Sequence, residues 1–272
     1  MITVVGGINM DLSLRMARFP QPGETLGDAQ LFRNAGGKGA NQAHAIARLG
    51  GQVRLIGAVG DDSGGEELLS GFHKWSIDTA GVFRKTNTST GTAVIFLDAE
   101  GQNEIVVAPC ANAMLTVDDV ASQRASIASS QAVVANLESP VSAVREAFRI
   151  ARTNRVVTLL NPAPWKGCFD LLEGTDWLIP NENEAEQISG QSMKTEGDAA
   201  AAASRIRSMA AGLRVAITLG PRGVWIDSPE FVGRVPGFRV TPVDTVGAGD
   251  TWVGAFATEL TRAQSIPAAA RF

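Results

Sequence analysis

The chain has 272 residues, of which 44% are hydrophobic and 19% are charged, so it can form one large domain or two modest domains with a buried core. Its 24 basic and 28 acidic residues give a formal charge of −4, and the basic residues are scattered, which argues against a nucleic-acid or membrane-surface partner. The two cysteines and two histidines lack metal-ligand spacing, which excludes a Cys/His zinc site, and widely separated thiols suit a reducing cytoplasm.

The first predicted element is an apolar strand at the N-terminus, with no basic segment and long apolar stretch before it. No apolar run is long enough to span a membrane, so we expect a cytoplasmic protein. The predicted strands are 2–5, 53–59, 132–135, 156–160, 177–179 and 215–219, and the predicted helices are 38–49, 65–75, 141–152, 183–189, 198–210 and 248–261. This alternation predicts an α/β fold with three layers, α/β/α, in which helices cover both faces of a mainly parallel sheet.

Two segments, 11–36 and 91–108, interrupt this alternation with strand-like patterns, turns and no helix. The second contains TAVIFLDAEGQNEIVV, which predicts a hairpin about Glu100-Gly101. Two non-helical insertions in an α/β domain can pair into a small sheet of their own, such as a lid over a site. We therefore expect an α/β core of residues 1–10, 37–90 and 109–272, with a β lid of residues 11–36 and 91–108.

The stretch DTVGAGD, residues 244–250, opens the last predicted helix with two glycines and an acid. Amide groups of Gly247, Ala248 and Gly249 at a helix N-terminus can bind an anion, and the small residues let a phosphate come close. Asp250 can then accept a proton from a substrate hydroxyl that attacks this phosphate. The alternative is local, with glycines that turn the chain and an acid that complements the helix dipole. Neither this stretch nor AGGKGAN fits a dinucleotide fingerprint or a Walker loop.

Polar residues also follow several predicted strands, at the edge where ligands bind in parallel sheets. The candidates are Asn9 and Asp11 in GGINMDL, Gly37, Lys38 and Asn41 in GGKGAN, Glu138 in NLESP, Asn181 and Glu184 in IPNENEAE, and Thr218 and Gly220 in ITLGPRG. The lysine and asparagines can hydrogen-bond hydroxyl groups, and Asn181 with Glu184 can hold magnesium-bound water. Each group also has a local interpretation as a turn or a capped helix start, and these alternatives stay open.

The order of these motifs, with NPAP at 161–164 between NLESP and IPNENEAE, closely resembles the ribokinase-like, phosphofructokinase-B-type family of carbohydrate kinases along the whole chain. The resemblance implies that Asp250 is the catalytic base and that residues 247–249 form an anion hole. It implies contacts to the sugar from Asn9, Asp11, Gly37, Lys38, Asn41 and Glu138, with apolar lid contacts from Ala93 and Ile95. It also implies nucleotide contacts from Asn181, Thr218, Gly220 and Gly249, and a magnesium contact through water from Glu184.

The resemblance further implies MgATP as phosphoryl donor, K⁺ as activator and a homodimer formed through the β lid. Family members continue for a few dozen residues beyond Phe272, so we expect the monovalent-cation site, of which Asp244 and Val246 match two ligands, to be incomplete. The implied reaction is the ATP-dependent phosphorylation of a small sugar, with D-ribose to D-ribose 5-phosphate as the first candidate. The alternatives are a kinase of the same family acting on a nucleoside, deoxyribose or a keto-sugar acid, and a non-catalytic sugar-binding protein.

Overall fold

The computed structural model describes residues 1–241, 245–262 and 265–271, and it describes only the backbone of Glu196. Its strands are β1 (Ile2–Val5), β2 (Asn9–Arg15), β3 (Gln30–Gly36), β4 (Val53–Gly60), β5 (Asp78–Lys85), β6 (Gly91–Leu97), β7 (Asn103–Ala108), β8 (Ala132–Asn136), β9 (Val157–Asn161), β10 (Trp177–Leu178), β11 (Arg214–Thr218), β12 (Val224–Asp227) and β13 (Val232–Val235). Its α-helices are α1 (Lys38–Arg48), α2 (Ser63–Lys74), α3 (Val117–Ser122), α4 (Arg124–Ala128), α5 (Val141–Thr153), α6 (Glu182–Ser189), α7 (Glu196–Arg207), α8 (Ala248–Thr261) and α9 (Ile266–Arg271).

A nine-stranded sheet in the order β13-β12-β11-β10-β9-β8-β1-β4-β5 forms the central layer. Neighbouring strands are parallel from β11 to β5, whereas β12 and β13 add an antiparallel edge. Side chains alternate between the two faces, so Val4 and Val134 pack with α1, α2 and α8, while Val5 and Val133 pack with α5, α6 and α7. This arrangement confirms the predicted α/β/α fold with a mainly parallel sheet.

Several element bounds differ from the sequence-based prediction. Strands β5, β12 and β13 were not predicted, and β12 and β13 are only four residues long, which leaves little pattern to recognise. Helix α7 begins before the predicted residue 198 because Thr195 caps it: the Thr195 Oγ1 accepts from the amide of Asp198 at 3.2 Å. The helix therefore takes its start from the cap, and it ends at Arg207, before the predicted residue 210.

A second, four-stranded sheet in the order β3-β2-β6-β7 lies apart from the central one. Strand β2 pairs antiparallel with β3 and parallel with β6, and β6 pairs antiparallel with β7. Strand β2 begins at Asn9, so Asn9 lies on the small sheet together with Asp11, whereas the sequence placed Asn9 in the core and only Asp11 in the lid. This small sheet therefore carries four of the candidate sugar contacts, Asn9 and Asp11 on β2 and Ala93 and Ile95 on β6.

Helices α1 and α8 are in close contact, and this contact positions the candidate site. A Cβ atom built on Gly254 would lie 2.7 Å from the Cβ of Ala45 and 2.7 Å from the backbone oxygen of Gln42. Only a residue without a side chain allows the two helices to come this close. The N-terminal turns of both helices consequently lie side by side. Among the helices of the described residues, none has the length and apolarity needed to cross a bilayer.

Candidate active site

Two clefts meet at the N-terminus of α8. The residues lining the first, of about 800 Å³, include Lys38, Asn181, Glu184, Thr218, Gly220 and the stretch Gly247–Asp250. The residues lining the second, of about 1520 Å³, include Asp11, Asn34, Asn41, Ile95, Thr245, Val246 and Gly247. Gly247 borders both clefts. Candidate residues that are up to 239 positions apart in sequence, from Asp11 to Asp250, therefore lie around the N-terminus of α8.

The helix end itself is built without a capping side chain. Gly247 occupies the N-cap position with φ 72°, a left-handed conformation that favours glycine. The amide of Ala248 donates to the backbone oxygen of Thr245 at 3.2 Å, so one of the three amides predicted to bind an anion is already engaged. A Cβ atom built on Gly249 would meet no atom within 4 Å, which leaves open space in front of the first turn.

Asp250 is the buried acid at this helix end, with 6% of its surface exposed. Its Oδ2 accepts a hydrogen bond from Asn41 Nδ2 at 3.0 Å, and its Oδ1 lies 3.4 Å from Gln42 Nε2 and 3.9 Å from Lys38 Nζ. Burial raises the pKa of Asp250, while Lys38 and the two amides act in the opposite direction. A carboxylate held in this way has the raised proton affinity that a general base requires.

The first turn of α1 supplies these partners because the chain enters it through a tight turn. Gly37 has φ 86°, and a Cβ atom there would lie 2.7 Å from the backbone oxygen of Gly7. The amide of Lys38 donates to Glu138 Oε2 at 2.8 Å, which ties the start of α1 to the residue that follows β8. Gly37, Lys38, Asn41 and Glu138 therefore belong to one cluster, as the sequence suggested.

Two further carboxyl groups face the same region. Burial and the charge of Asp250 raise the pKa of Asp11 from 3.8 to about 6. Burial also raises the pKa of Glu138 against the influence of Lys38. The Oδ1 of Asp11 is buried and has no hydrogen-bond partner within the described part of the chain. A buried, unpartnered acceptor costs stability, and a ligand hydroxyl that donates to it would remove this cost.

The side-chain amide of Asn9 is hydrogen-bonded to Asn112, a residue that we did not predict. Asn112 Nδ2 donates to Asn9 Oδ1 at 2.8 Å, and the same Asn112 bonds both the amide and the carbonyl of Ile8, at 2.9 and 3.0 Å. The lid candidates Ala93 and Ile95 lie on β6, paired with Asp11 and Ser13 of β2, and both are buried. Asn112 could not be found from sequence because it follows the small sheet and pairs across 104 positions with Ile8.

The candidates for the nucleotide line the first cleft. Asn181 and Glu184 form a reciprocal helix cap, in which Asn181 Oδ1 accepts from the Glu184 amide and Glu184 Oε2 accepts from the Asn181 amide, both at 2.9 Å. The pair therefore forms the capped helix start that was its local interpretation. One carboxylate oxygen of Glu184 already accepts a hydrogen bond in this cap. Thr218 and Gly220 lie at the end of β11, next to Asn181, which forms a parallel bridge with Thr218.

The candidate metal ligands are only partly placed. Asp244 lies outside the described residues, and Val246 borders the second cleft. No group of three or more His, Cys, Asp or Glu side chains able to hold a metal occurs in residues 1–241, 245–262 and 265–271. In the described part of the first cleft, Glu184 is the one carboxylate that the sequence analysis expects to contact magnesium through water.

Comparison with known proteins gives a consistent result. Residues 1–272 match the pfkB family of carbohydrate kinases. The chain is 39% identical over 273 residues to the ribokinase of Haemophilus influenzae, covering 100% of this chain and 89% of that one. It is 34% identical over 273 residues to the deoxyribokinase of Salmonella typhi, covering 98% and 88%. The structure of Arabidopsis thaliana ribokinase complexed with ribose and ATP matches with a TM-score of 0.87 at 27% identity, over 99% of this chain and 88% of that one.

Proposed function

Since the chain belongs to the pfkB family of carbohydrate kinases, we propose that it transfers the γ-phosphoryl group of ATP to D-ribose and forms D-ribose 5-phosphate. The relatives named ribokinase and the neighbour complexed with ribose and ATP support this substrate pair. The observation that carries the proposal is the position of Asp250, at the helix end where the two clefts meet. A sugar in one cleft and a nucleotide in the other would place the reacting groups on either side of this carboxylate.

In the proposed mechanism, Asp250 takes the proton of the primary hydroxyl while that oxygen attacks the γ-phosphorus in line. The new P–O bond forms as the bond to the bridging oxygen breaks, ADP carries away the electron pair, and the proton stays on Asp250 until it is released. Amides at the N-terminus of α8 and the helix dipole stabilise the charge on the transferred group. The amide of Ala248 joins them once its bond to Thr245 opens.

The second cleft is the proposed sugar site. Asp11, with its unpartnered Oδ1, accepts from a sugar hydroxyl, and Asn41 donates to another. The remaining proposed sugar contacts come from Asn9, Gly37, Lys38 and Glu138, with Ala93 and Ile95 covering the apolar face. Residues 11–36 and 91–108 act as the lid on the core of residues 1–10, 37–90 and 109–272.

The first cleft is the proposed nucleotide site, with contacts from Asn181, Thr218, Gly220 and Gly249. Magnesium bound with ATP supplies positive charge to the phosphates, and Glu184 would hold it through water because its capping bond leaves one carboxylate oxygen available. We also propose a K⁺ site at Asp244 and Val246. Turnover measured with and without added potassium tests this site directly.

The outer strands of the small sheet carry exposed apolar side chains, which are Leu31, Phe32, Ile105, Val106 and Val107. These residues lie on the two edge strands, β3 and β7, and exposed apolar side chains on sheet edges are typical of surfaces that bind another chain. We therefore propose a homodimer through the lid, as the sequence suggested. The cytoplasmic location expected from the sequence stays a prediction.

A second candidate substrate is 2-deoxy-D-ribose, because the deoxyribokinase relative covers nearly the whole chain. We would measure ADP release at saturating MgATP, with and without K⁺, for D-ribose, 2-deoxy-D-ribose, a nucleoside and a keto-sugar acid. The highest kcat/KM for D-ribose supports the proposal, and a higher value for any other acceptor contradicts it. Ribose binding by calorimetry without ADP formation from any acceptor would favour a non-catalytic sugar-binding protein.

A further inference from the structure

We propose that Gln42 is a positioning residue for Asp250, one that presents a buried N–H donor to Oδ1 and thereby fixes the plane of the carboxylate. The inference rests on the proposed function in one respect, namely that Asp250 is the base. Gln42 is fully buried, so it reaches no substrate and can act only through its neighbours. These neighbours are Asn136, Asn161 and Asp250.

The orientation of Asn136 follows from the backbone around it. Its Oδ1 accepts from the amides of Gly7 and Glu138, both at 3.3 Å. Backbone N–H groups can only donate, so this end of the Asn136 amide must be the oxygen. Its Nδ2 therefore faces Gln42 and donates to the Gln42 Oε1 at 3.2 Å. One end of Gln42 is thus required to be an acceptor.

The hydrogen bonds of Asn161 determine the orientation of the other end of the Gln42 amide. Its Nδ2 donates to the backbone oxygen of Ile179 at 2.9 Å, and a carbonyl can only accept. Its Oδ1 therefore faces Gln42 and accepts from the Gln42 Nε2 at 3.2 Å. Two independent backbone anchors therefore require the same orientation of the Gln42 amide. The second hydrogen of Nε2 is left for Asp250 Oδ1 at 3.4 Å.

The two oxygens of Asp250 consequently have different donors from adjacent residues of α1. Asn41 holds Oδ2 at the border of the second cleft, where a sugar would compete for its amide. Gln42 donates to Oδ1 from inside the protein, and Lys38 Nζ, at 3.9 Å from the same oxygen, is beyond hydrogen-bond distance. Gln42 is therefore the donor that keeps the carboxylate in place while Asn41 exchanges partners.

The donor also acts against an unfavourable electrostatic environment. Four charged or titratable groups interact with Asp250, and they come from four elements: Lys38 on α1, Asp11 on β2, Glu138 after β8 and Glu184 on α6. Burial disfavours the ionised form of Asp250 and raises its pKa, while the charge of Asp250 in turn raises the pKa of Asp11, Glu138 and Glu184. A hydrogen bond to the carboxylate favours the ionised form, so loss of the Gln42 donor is expected to raise the pKa of Asp250 further.

The test replaces Gln42 by an unbranched side chain of similar length that cannot hydrogen-bond, Gln42→Met, in the full chain. The ¹³Cγ shift of Asp250, assigned by comparison with Asp250→Asn, would be followed against pH in the protein without substrates. We expect the pKa of Asp250 to rise by about half a unit to one unit. The acid limb of the kcat/KM profile should move upward by the same amount, and kcat should fall about 10- to 100-fold with a small change in KM.

Two further variants separate positioning from a general loss of stability. Thr158→Val removes a buried hydroxyl, bonded to Gly174 and Asp176 at the far end of β9, and should leave the Asp250 pKa and the pH profile unchanged. Gln42→Asn keeps an amide but withdraws it by one methylene, so it should shift the pKa of Asp250 in the same direction as Gln42→Met even if the latter folds poorly.

An unchanged Asp250 pKa in both Gln42 variants overturns the inference. A raised Asp250 pKa with an unmoved acid limb supports the contact between Gln42 and Asp250 but overturns Asp250 as the base, so the failures of the two proposals can be told apart.

Discussion

Gly249 offers a test in which folding and activity should change in opposite directions. This residue lies in the first turn of α8 and lines the first cleft, and a Cβ atom there would meet no protein atom within 4 Å. Its φ is not positive, so alanine can adopt the same backbone. In Gly249→Ala the protein should therefore accept the new methyl group, whereas a phosphate lying against the helix N-terminus should not.

The magnitudes follow from the geometry. Alanine is favoured over glycine in a helix by up to about 1 kcal/mol, so the free energy of unfolding should rise by roughly 0.5–1 kcal/mol at this first-turn position. The methyl carbon projects about 1.5 Å from the backbone into the space proposed for the transferred phosphoryl group. A displacement of about 1 Å can cost about 100-fold in rate, so we expect kcat to fall at least about 100-fold.

The assay is ADP release with D-ribose and MgATP, together with urea unfolding of the same preparation. Gly71→Ala is the matched control, because Gly71 lies in α2 away from both clefts and also has open space around its Cβ position. The control should gain stability and keep its turnover. A Gly249→Ala variant that turns over like Gly71→Ala would refute a phosphate approach to this turn.

Three other perturbations have defined outcomes. Gly254→Ala should lower both stability and kcat, because its Cβ would lie 2.7 Å from that of Ala45 and force α8 away from α1; urea unfolding and turnover measure this, and a gain in stability would contradict it. Asp11→Asn should raise the free energy of unfolding at pH 8 by about 1–2 kcal/mol after allowance for solvent screening, because the native pKa of about 6 exceeds the ordinary 3.8 and the ionised form is disfavoured in the fold. This gain should shrink as pH falls through 6 and vanish below 3.8, and urea titrations that show the opposite trend would refute it. Asn112→Ala should cost about 2–4 kcal/mol and raise KM for the sugar more than it lowers kcat, because Asn9 loses the donor that orients its amide; an unchanged KM would contradict this role.

The parts of the fold that follow from local pattern were predictable. The bounds of α8 were predicted correctly, since an acid in the first turn and the apolar run that follows it favour a helix here. The bounds of β1 were also correct, because a short β-branched run with a turn after it has few alternatives. The start of α7 was missed even though Thr195 and Asp198 form a capping box three residues apart, and this signal was available in the sequence.

The parts that depend on distant partners were not predictable. Gln42 follows Asn41 in a helix and has no distinguishing local context, and its partners Asn161 and Asp250 lie 119 and 208 positions away. Residues 11–36 and 91–108 were expected to pair into a small sheet, but the sequence did not show that the strand carrying Asp11 pairs antiparallel with β3 and parallel with β6. Strand pairing depends on contacts between distant residues, so the local pattern placed Asp11 in the small sheet but did not give the partners of its strand.

The proposed role of Asp250 as the base for phosphoryl transfer between the two clefts can be tested with Asp250→Asn. The measurement is ADP release with D-ribose at saturating MgATP, paired with calorimetric ribose binding to the same variant. We expect a loss of about 10²–10⁴-fold in kcat with ribose affinity retained. Turnover close to that of the unsubstituted chain, with ribose bound equally well, would contradict it.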